Sequence, residues 1–123
     1  MAELQSLLSD GSMQYEISRV DSSGRLSARR LLLALNWKVG DQLALQTSDG
    51  IIVLRPATRS VSRVTKQCSV VLPAAARFRS GIHGGDGVLL AAAVEHDTLV
   101  VHSFSVLDQM MSRYHPARAT AAQ

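Results

Sequence analysis

An internal repeat limits the fold of this chain more than any other feature. Residues 20–56 read VDSSGRLSARRLLLALNWKVGDQLALQTSDGIIVLRP. Residues 21–24 and 38–41 are turn chemistry: Gly allows positive φ, and Asp and Ser hydrogen-bond locally. A helical run, LLLALNW, separates these turns. Two strand-like runs follow, QLALQT and IIVLRP, joined by Ser48-Asp49-Gly50. The order is strand, turn, strand, helix, strand, turn, strand. Residues 64–102 repeat that order, with one extra residue before the second Gly-Asp turn and a longer last hairpin. A unit this small buries too little surface to be stable alone. The copies are therefore expected to pack on each other as a single domain and to pair strands between them.

The two copies solve the same capping problems with different residues. In the first, Ser27 is the expected N-cap of a helix over 28–35, with Leu31, Leu32 and Leu35 on its apolar face. Asn36 falls where a left-handed C-terminal cap belongs, followed by the apolar Trp37. In the second, Pro73 is placed for the first helical turn, Gly81 replaces Asn36 and Ile82 replaces Trp37. Asp41 and Asp86 follow Gly40 and Gly85 in matching turns.

The remaining elements follow from local pattern. Residues 14–20 alternate Tyr15 and Ile17 with polar neighbours and read as a strand. Further strands are expected over 42–47, 51–55, 88–92 and 99–102. The continuous apolar runs of the two closing strands imply burial on both faces. The domain plan is a flexible lead-in over 1–13, with a helical turn at 3–8, then one barrel domain over 14–102. Within it, repeat one spans 14–56, the linker 57–60 and repeat two 61–102. A short helix and tail occupy 103–123: an amphipathic helical turn or two with Val106, Leu107, Met110 and Met111, the two Met read as core packing, then a frayed end. Apolar residues make up 46% and aromatics only 4%, which implies an aliphatic core. No apolar run approaches a membrane span, and the acidic start is no secretory signal. The single cysteine, Cys68, permits no intrachain disulfide, and a cytoplasmic setting fits.

Charge is unevenly distributed. Residues 19–79 hold eleven of the thirteen Lys and Arg, against three acids, Asp21, Asp41 and Asp49. A basic centre between acidic flanks is what a polyanion-binding face requires. Arg29 and Arg30 fall in the first turn of a helix, where positive charge opposes the macrodipole and where acids are usual. A bound phosphate would offset that cost. Arg19, Arg25, Arg59, Arg63 and Lys66 fall at or near the turn ends of strands. Arg77 and Arg79 lie on the second helix, where contact with a ligand and plain solvation weigh equally. Catalytic signals are weak. His83, His96, His102 and His115 lack ligand spacing, and the Gly84-Gly85-Asp86-Gly87 run lacks the Lys-Ser/Thr ending of a phosphate loop. There is no Gly-x-Ser-x-Gly elbow and no carboxylate pair placed for acid–base work. The expectation is a protein that is not an enzyme and uses no metal or other cofactor.

The residues Gly24, Arg25, Leu26, Leu35, Asn36, Trp37, Gly40, Asp41, Asp49 and Gly50 form a pattern that resembles the AbrB/MazE/SpoVT family of swapped-hairpin DNA-binding barrels. Leu72, Pro73, Ala74, Gly81, Ile82, Gly85 and Asp86 carry the resemblance in the second copy. The likeness is to tandem two-copy members. It implies a mainly β fold with short helices, in which two repeats interleave their hairpins into one small β-barrel. It also implies a cytoplasmic, nucleoid-associated transcriptional regulator that binds double-stranded DNA, as a pseudo-dimeric monomer or a homodimer. The DNA-binding residues expected are Arg19, Arg25, Arg29, Arg30, Arg63 and Lys66. Arg25 matches the family's Gly-Arg position. The alternative is an antitoxin that binds its own operator and a toxin protein through residues 103–123. The chain departs from the pattern in two places. Cys68 and Ser69 replace the glycine and arginine of the second copy, and Ala28 and Arg29 replace the usual apolar-Pro helix start. The counterparts of Arg25, Arg29 and Arg30 then read as Ser69, Pro73 and Ala74, with only Lys66 nearby.

Overall fold

A computed structural model describes residues 13–60 and 62–114. The first copy contributes β1 (Met13–Arg19), β2 (Arg25–Ser27), α1 (Arg29–Ala34), β3 (Gln42–Ser48) and β4 (Ile51–Pro56). The second contributes β5 (Ser62–Arg63), β6 (Ser69–Val71), α2 (Ala74–Ser80), β7 (Gly87–Ala93) and β8 (Thr98–Ser103), and α3 (Phe104–Tyr114) follows. The helical turn expected at 3–8 and the frayed end expected at 117–123 lie outside the described residues.

The molecule is mainly β, with a large antiparallel sheet and short helices. Six strands lie in the order β1-β7-β8-β4-β3-β5, and β2 and β6 form a separate ribbon. That order is unchanged when the copies are exchanged. β1 pairs with β7 along its whole length, from Met13 opposite Ala93 to Arg19 opposite Gly87. β5 pairs with β3, Arg63 opposite Gln42 and Ser62 opposite Leu43. Each copy's first strand thus hydrogen-bonds to a strand of the other copy's hairpin. The ribbon and the central β4–β8 pair also join the copies. The hydrogen-bonded strands form these two sheets rather than one closed cylinder. Single-residue bridges from Val20 to Leu26 and from Val64 to Val70 connect the ends of β1 and β5 to the ribbon.

The Gly-Asp turns lock this crossing. Gly40 N donates to Val64 O at 2.9 Å, and Val64 N donates to Asp41 O at 3.0 Å. In the mirror arrangement Gly85 N donates to Val20 O at 2.6 Å, and Val20 N to Asp86 O at 2.9 Å. Each turn is closed from within by its own aspartate. Asp41 Oδ2 accepts from Lys38 N, and Asp86 Oδ2 from His83 N, both at 2.8 Å. The core is aliphatic and continuous across the copies. Leu26, Leu31, Leu32, Leu43, Ile52, Leu54, Leu72, Ile82, Leu90 and Leu99 are all fully buried in it.

The helix ends follow the sequence more closely than the starts. Asn36 has φ 60 and Gly81 φ 70, the left-handed caps expected, and Trp37 and Ile82 behind them are buried. Ser27 does not cap α1. It ends β2 opposite Ser69, and its carbonyl accepts from Ser18 Oγ, so its backbone is committed to the ribbon. Ala28 starts the helix with no side-chain cap, and Pro73 is the residue before α2, not part of its first turn.

Burial departs from the sequence reading in β4 and at Met111, and follows it in β8. β4 alternates, with Ile52 and Leu54 buried and Ile51 and Val53 half-exposed, so it is not buried on both faces. β8 is nearly continuous in burial, because α3 packs against β7 and β8. In β1 the exposed apolar residues are Tyr15 and Ile17. Ile17 is 71% exposed, while Glu16 and Ser18 on the other face are half-buried, where Arg30 and the Ser27 carbonyl bond to them. Met111, expected in the core, is exposed on α3.

Two stability measurements test these assignments. Asn36→Gly should leave the melting temperature unchanged or raised, since glycine has no Cβ to strain at positive φ. Asn36→Val should cost about 1 kcal/mol or more. Equal thermal melts for the two variants would contradict the cap. The second test concerns His102, which is buried with Nδ1 3.3 Å from Leu89 O. Burial lowers its pKa below 6.5, against a smaller opposing effect of the backbone contact. The unfolded chain therefore takes up this proton at a pH where the folded chain does not. The associated stability is complete above about pH 6.5 and drains away as pH falls. Melts between about pH 7.5 and pH 5.5 should fall more steeply for wild type than for His102→Asn.

Candidate nucleic-acid interface

The ribbon places the first arginine. Along β2 the burial alternates, so Leu26 enters the core opposite Val70 while Arg25 and Ser27 face outward. The preceding turn is held by Asp21, whose Oδ1 accepts from Ser23 N at 2.9 Å and Arg25 N at 2.8 Å. Thr65 does the same work in the second copy, its Oγ1 accepting from Gln67 N and Ser69 N, both at 3.3 Å. Asp and Thr are different solutions to one turn.

α2 brings a residue that the sequence left undecided onto this turn. Arg77 Nε donates to Leu72 O at 2.9 Å, and the guanidinium lies across Gly24. A Cβ at Gly24 would stand 2.5 Å from Leu72 O and 2.8 Å from Arg77 Nε. Arg25 and Arg77 therefore meet at one glycine, one from each copy. The matching cap bonds, Trp37 N to Leu32 O and Ile82 N to Arg77 O, place Arg77 where the first copy has the buried Leu32. An arginine at a core-facing position of a short helix is the signal that could have found it. The same bonds shift the equivalences by one residue: Ala74 and Ala75, not Pro73 and Ala74, correspond to Arg29 and Arg30.

The other expected residues divide. Arg29 is exposed at the start of α1 and makes no ion pair with a described residue. Lys66 is exposed in turn 65–68, which leads into the ribbon end where Ser69 faces Ser27. Arg29 and Lys66 thus belong to one end of the ribbon, and Arg25 and Arg77 to the other. Arg19 and Arg63 hold matching positions at the ends of β1 and β5, on opposite edges of the large sheet. Arg19 Nη1 donates to Gly85 O at 2.6 Å. Arg30 is drawn away from Arg29: its Nε lies 3.3 Å from Glu16 Oε1 and its Nη2 donates to Tyr15 O at 2.5 Å. Such an exposed pair contributes at most about 1 kcal/mol, so it orients Arg30 more than it stabilises the fold.

Among the described residues no group of three His, Cys, Asp or Glu side chains is arranged to hold a metal, and no helix is long and apolar enough to cross a membrane. Of residues 103–123, the segment that the antitoxin alternative assigns to a toxin, 104–114 form α3, which packs against β7 and β8, with Phe104 against Gly87 and Val106 against Gly50 in the β3–β4 turn. The tail beyond lies outside the described residues. No family model, curated protein or solved structure matches the chain.

The two turns make opposite demands at one position. Gly24 has φ 85 and no room for a Cβ; Cys68, its counterpart, has φ 56. Gly24→Ala should destabilise by about 2 kcal/mol or more, from left-handed strain and the clash together. Cys68→Gly should be neutral or stabilising by up to about 1 kcal/mol, because it removes that strain. Chemical denaturation measures both, and effects of the same sign would contradict the equivalence.

Proposed function

We propose that this protein is a sequence-preferring, double-stranded-DNA-binding regulator, built as a tandem swapped-hairpin barrel of the AbrB-like kind. The crosswise pairing of β1 with β7 and of β5 with β3 supports the exchange of elements between repeats. The bridges that tie both edge strands to the ribbon support a barrel-like closure. The observation that carries the DNA reading is the basic surface around the ribbon: Arg25 and Arg77 at one end, Arg29 and Lys66 at the other. Arg25, Arg29 and Lys66 make no ion pair with a described residue, so their charge is available to phosphates. In this reading Arg25 lies nearest the duplex, while Arg19 and Arg63 sit at its margins and act as general phosphate contacts.

The test is binding to duplex DNA over a salt series. Removing one cation that holds a phosphate lowers the slope of log affinity against log salt by about one. Arg25→Ala with Arg29→Ala should flatten the slope by about two units, and Lys66→Ala by about one. Arg30→Ala should add less than one unit, because Glu16 already holds that charge. A folded double variant with an unchanged slope would move the binding face elsewhere. A wild-type protein that does not bind duplex DNA would end this reading.

A further inference from the structure

α1 and α2 each leave one large apolar side chain in solvent, at the same position. Leu33 on α1 is 68% exposed and Phe78 on α2 is 85% exposed. They are equivalent, because Asn36 N bonds to Leu33 O as Gly81 N bonds to Phe78 O. Their surroundings differ. One turn back from Phe78 lie Ala74 and Ala75, both exposed and too small to cover the ring. Arg77 precedes it, anchored on Leu72 O across Gly24, and Arg79 follows it, exposed. α2 carries no acidic residue in its first turn. An exposed aromatic ring on a short helix, flanked in the chain by two arginines, one of them anchored across the turn that carries the exposed Arg25, suits a partner that offers both anionic and flat apolar surface. A nucleic-acid duplex has that combination, with phosphates bracketing the edges and faces of the bases.

We propose that Phe78 is a base-contacting wedge. Its ring enters a groove of bound DNA and packs against a base step, with Arg77 and Arg79 holding phosphates on either side. The inference rests on the DNA-binding reading and adds a contact to it that is not electrostatic. Apolar wedges of this type partly unstack a step and kink the duplex. Their contribution does not depend on counterion release, whereas that of a phosphate contact does. The second copy thereby gains a role in binding that its missing Gly-Arg pair does not supply. The asymmetry follows from Leu33, which is aliphatic and has Arg30 turned away toward β1.

The experiment uses the full chain and a fluorescein-labelled mixed-sequence duplex of about 30 base pairs, titrated by anisotropy over a salt series. A second duplex carries 2-aminopurine to report unstacking. Phe78→Ala should weaken binding by about tenfold at every salt concentration, with the slope unchanged. It should also abolish the rise in 2-aminopurine fluorescence, and Phe78→Trp should restore both. Arg77→Ala should instead lower the slope by about one. Because Phe78 is exposed, its variants should melt like wild type. A Phe78→Ala protein that binds and unstacks DNA as wild type does would assign the ring to a protein partner and overturn the proposal, leaving the DNA reading intact. Failure of wild type to bind either duplex would remove both.

Discussion

The fold depends on two pairs of backbone hydrogen bonds that cross between the copies. Gly40 and Asp41 of the first copy grip Val64 of the second, and Gly85 and Asp86 of the second grip Val20 of the first. Both valines are buried and both are bridged to the ribbon. If one turn opened, Val20 or Val64 would be left without its hydrogen bonds in a buried setting, a cost of about 1–3 kcal/mol for each unsatisfied group. The strand that ends there would also lose its guide into the other copy's hairpin. Left-handed glycines permit the turns, with φ 91 at both Gly40 and Gly85.

The same crossing explains why residues far apart in sequence share a surface. Arg77 reaches Gly24 only because the ribbon sets Arg25 opposite Val71, directly before the residues that start α2. Trp37, which closes α1, donates through Nε1 to Asp97 Oδ1 at 2.6 Å, in the hairpin turn of the second copy. Gly50, in the hairpin of the first, donates to Ser80 O at the end of α2. Each hairpin tip thus touches the helix end of the other copy, and any ligand spanning the ribbon meets groups from both halves.

Much of this was legible in the sequence, and what was not has physical causes. Turns and helix stops were legible because they depend on local chemistry: Gly24, Asn36, Gly81 and the two Gly-Asp pairs each hold a backbone state that few residues tolerate. Helix starts were not, because Ser27 had two suitable roles and the ribbon's tertiary pairing decided between them. The facing of β1 was hidden for a similar reason. Alternation reports two faces, and the partners of Glu16 and Ser18, contributed by α1 and β2, make theirs the less exposed one. Charge located the basic region, but counting could not show that Arg30 bends back to Glu16 while Arg77 crosses onto the other copy's turn.

Fragment complementation tests the central claim, that each copy is completed by the other. Residues 1–58 and 59–123 would be produced separately, each holding one copy, and followed by circular dichroism and sedimentation. Neither half should fold as a monomer, and a mixture of the two should assemble one to one with the spectrum of the intact chain. A half that folds cooperatively as a monomer would contradict it.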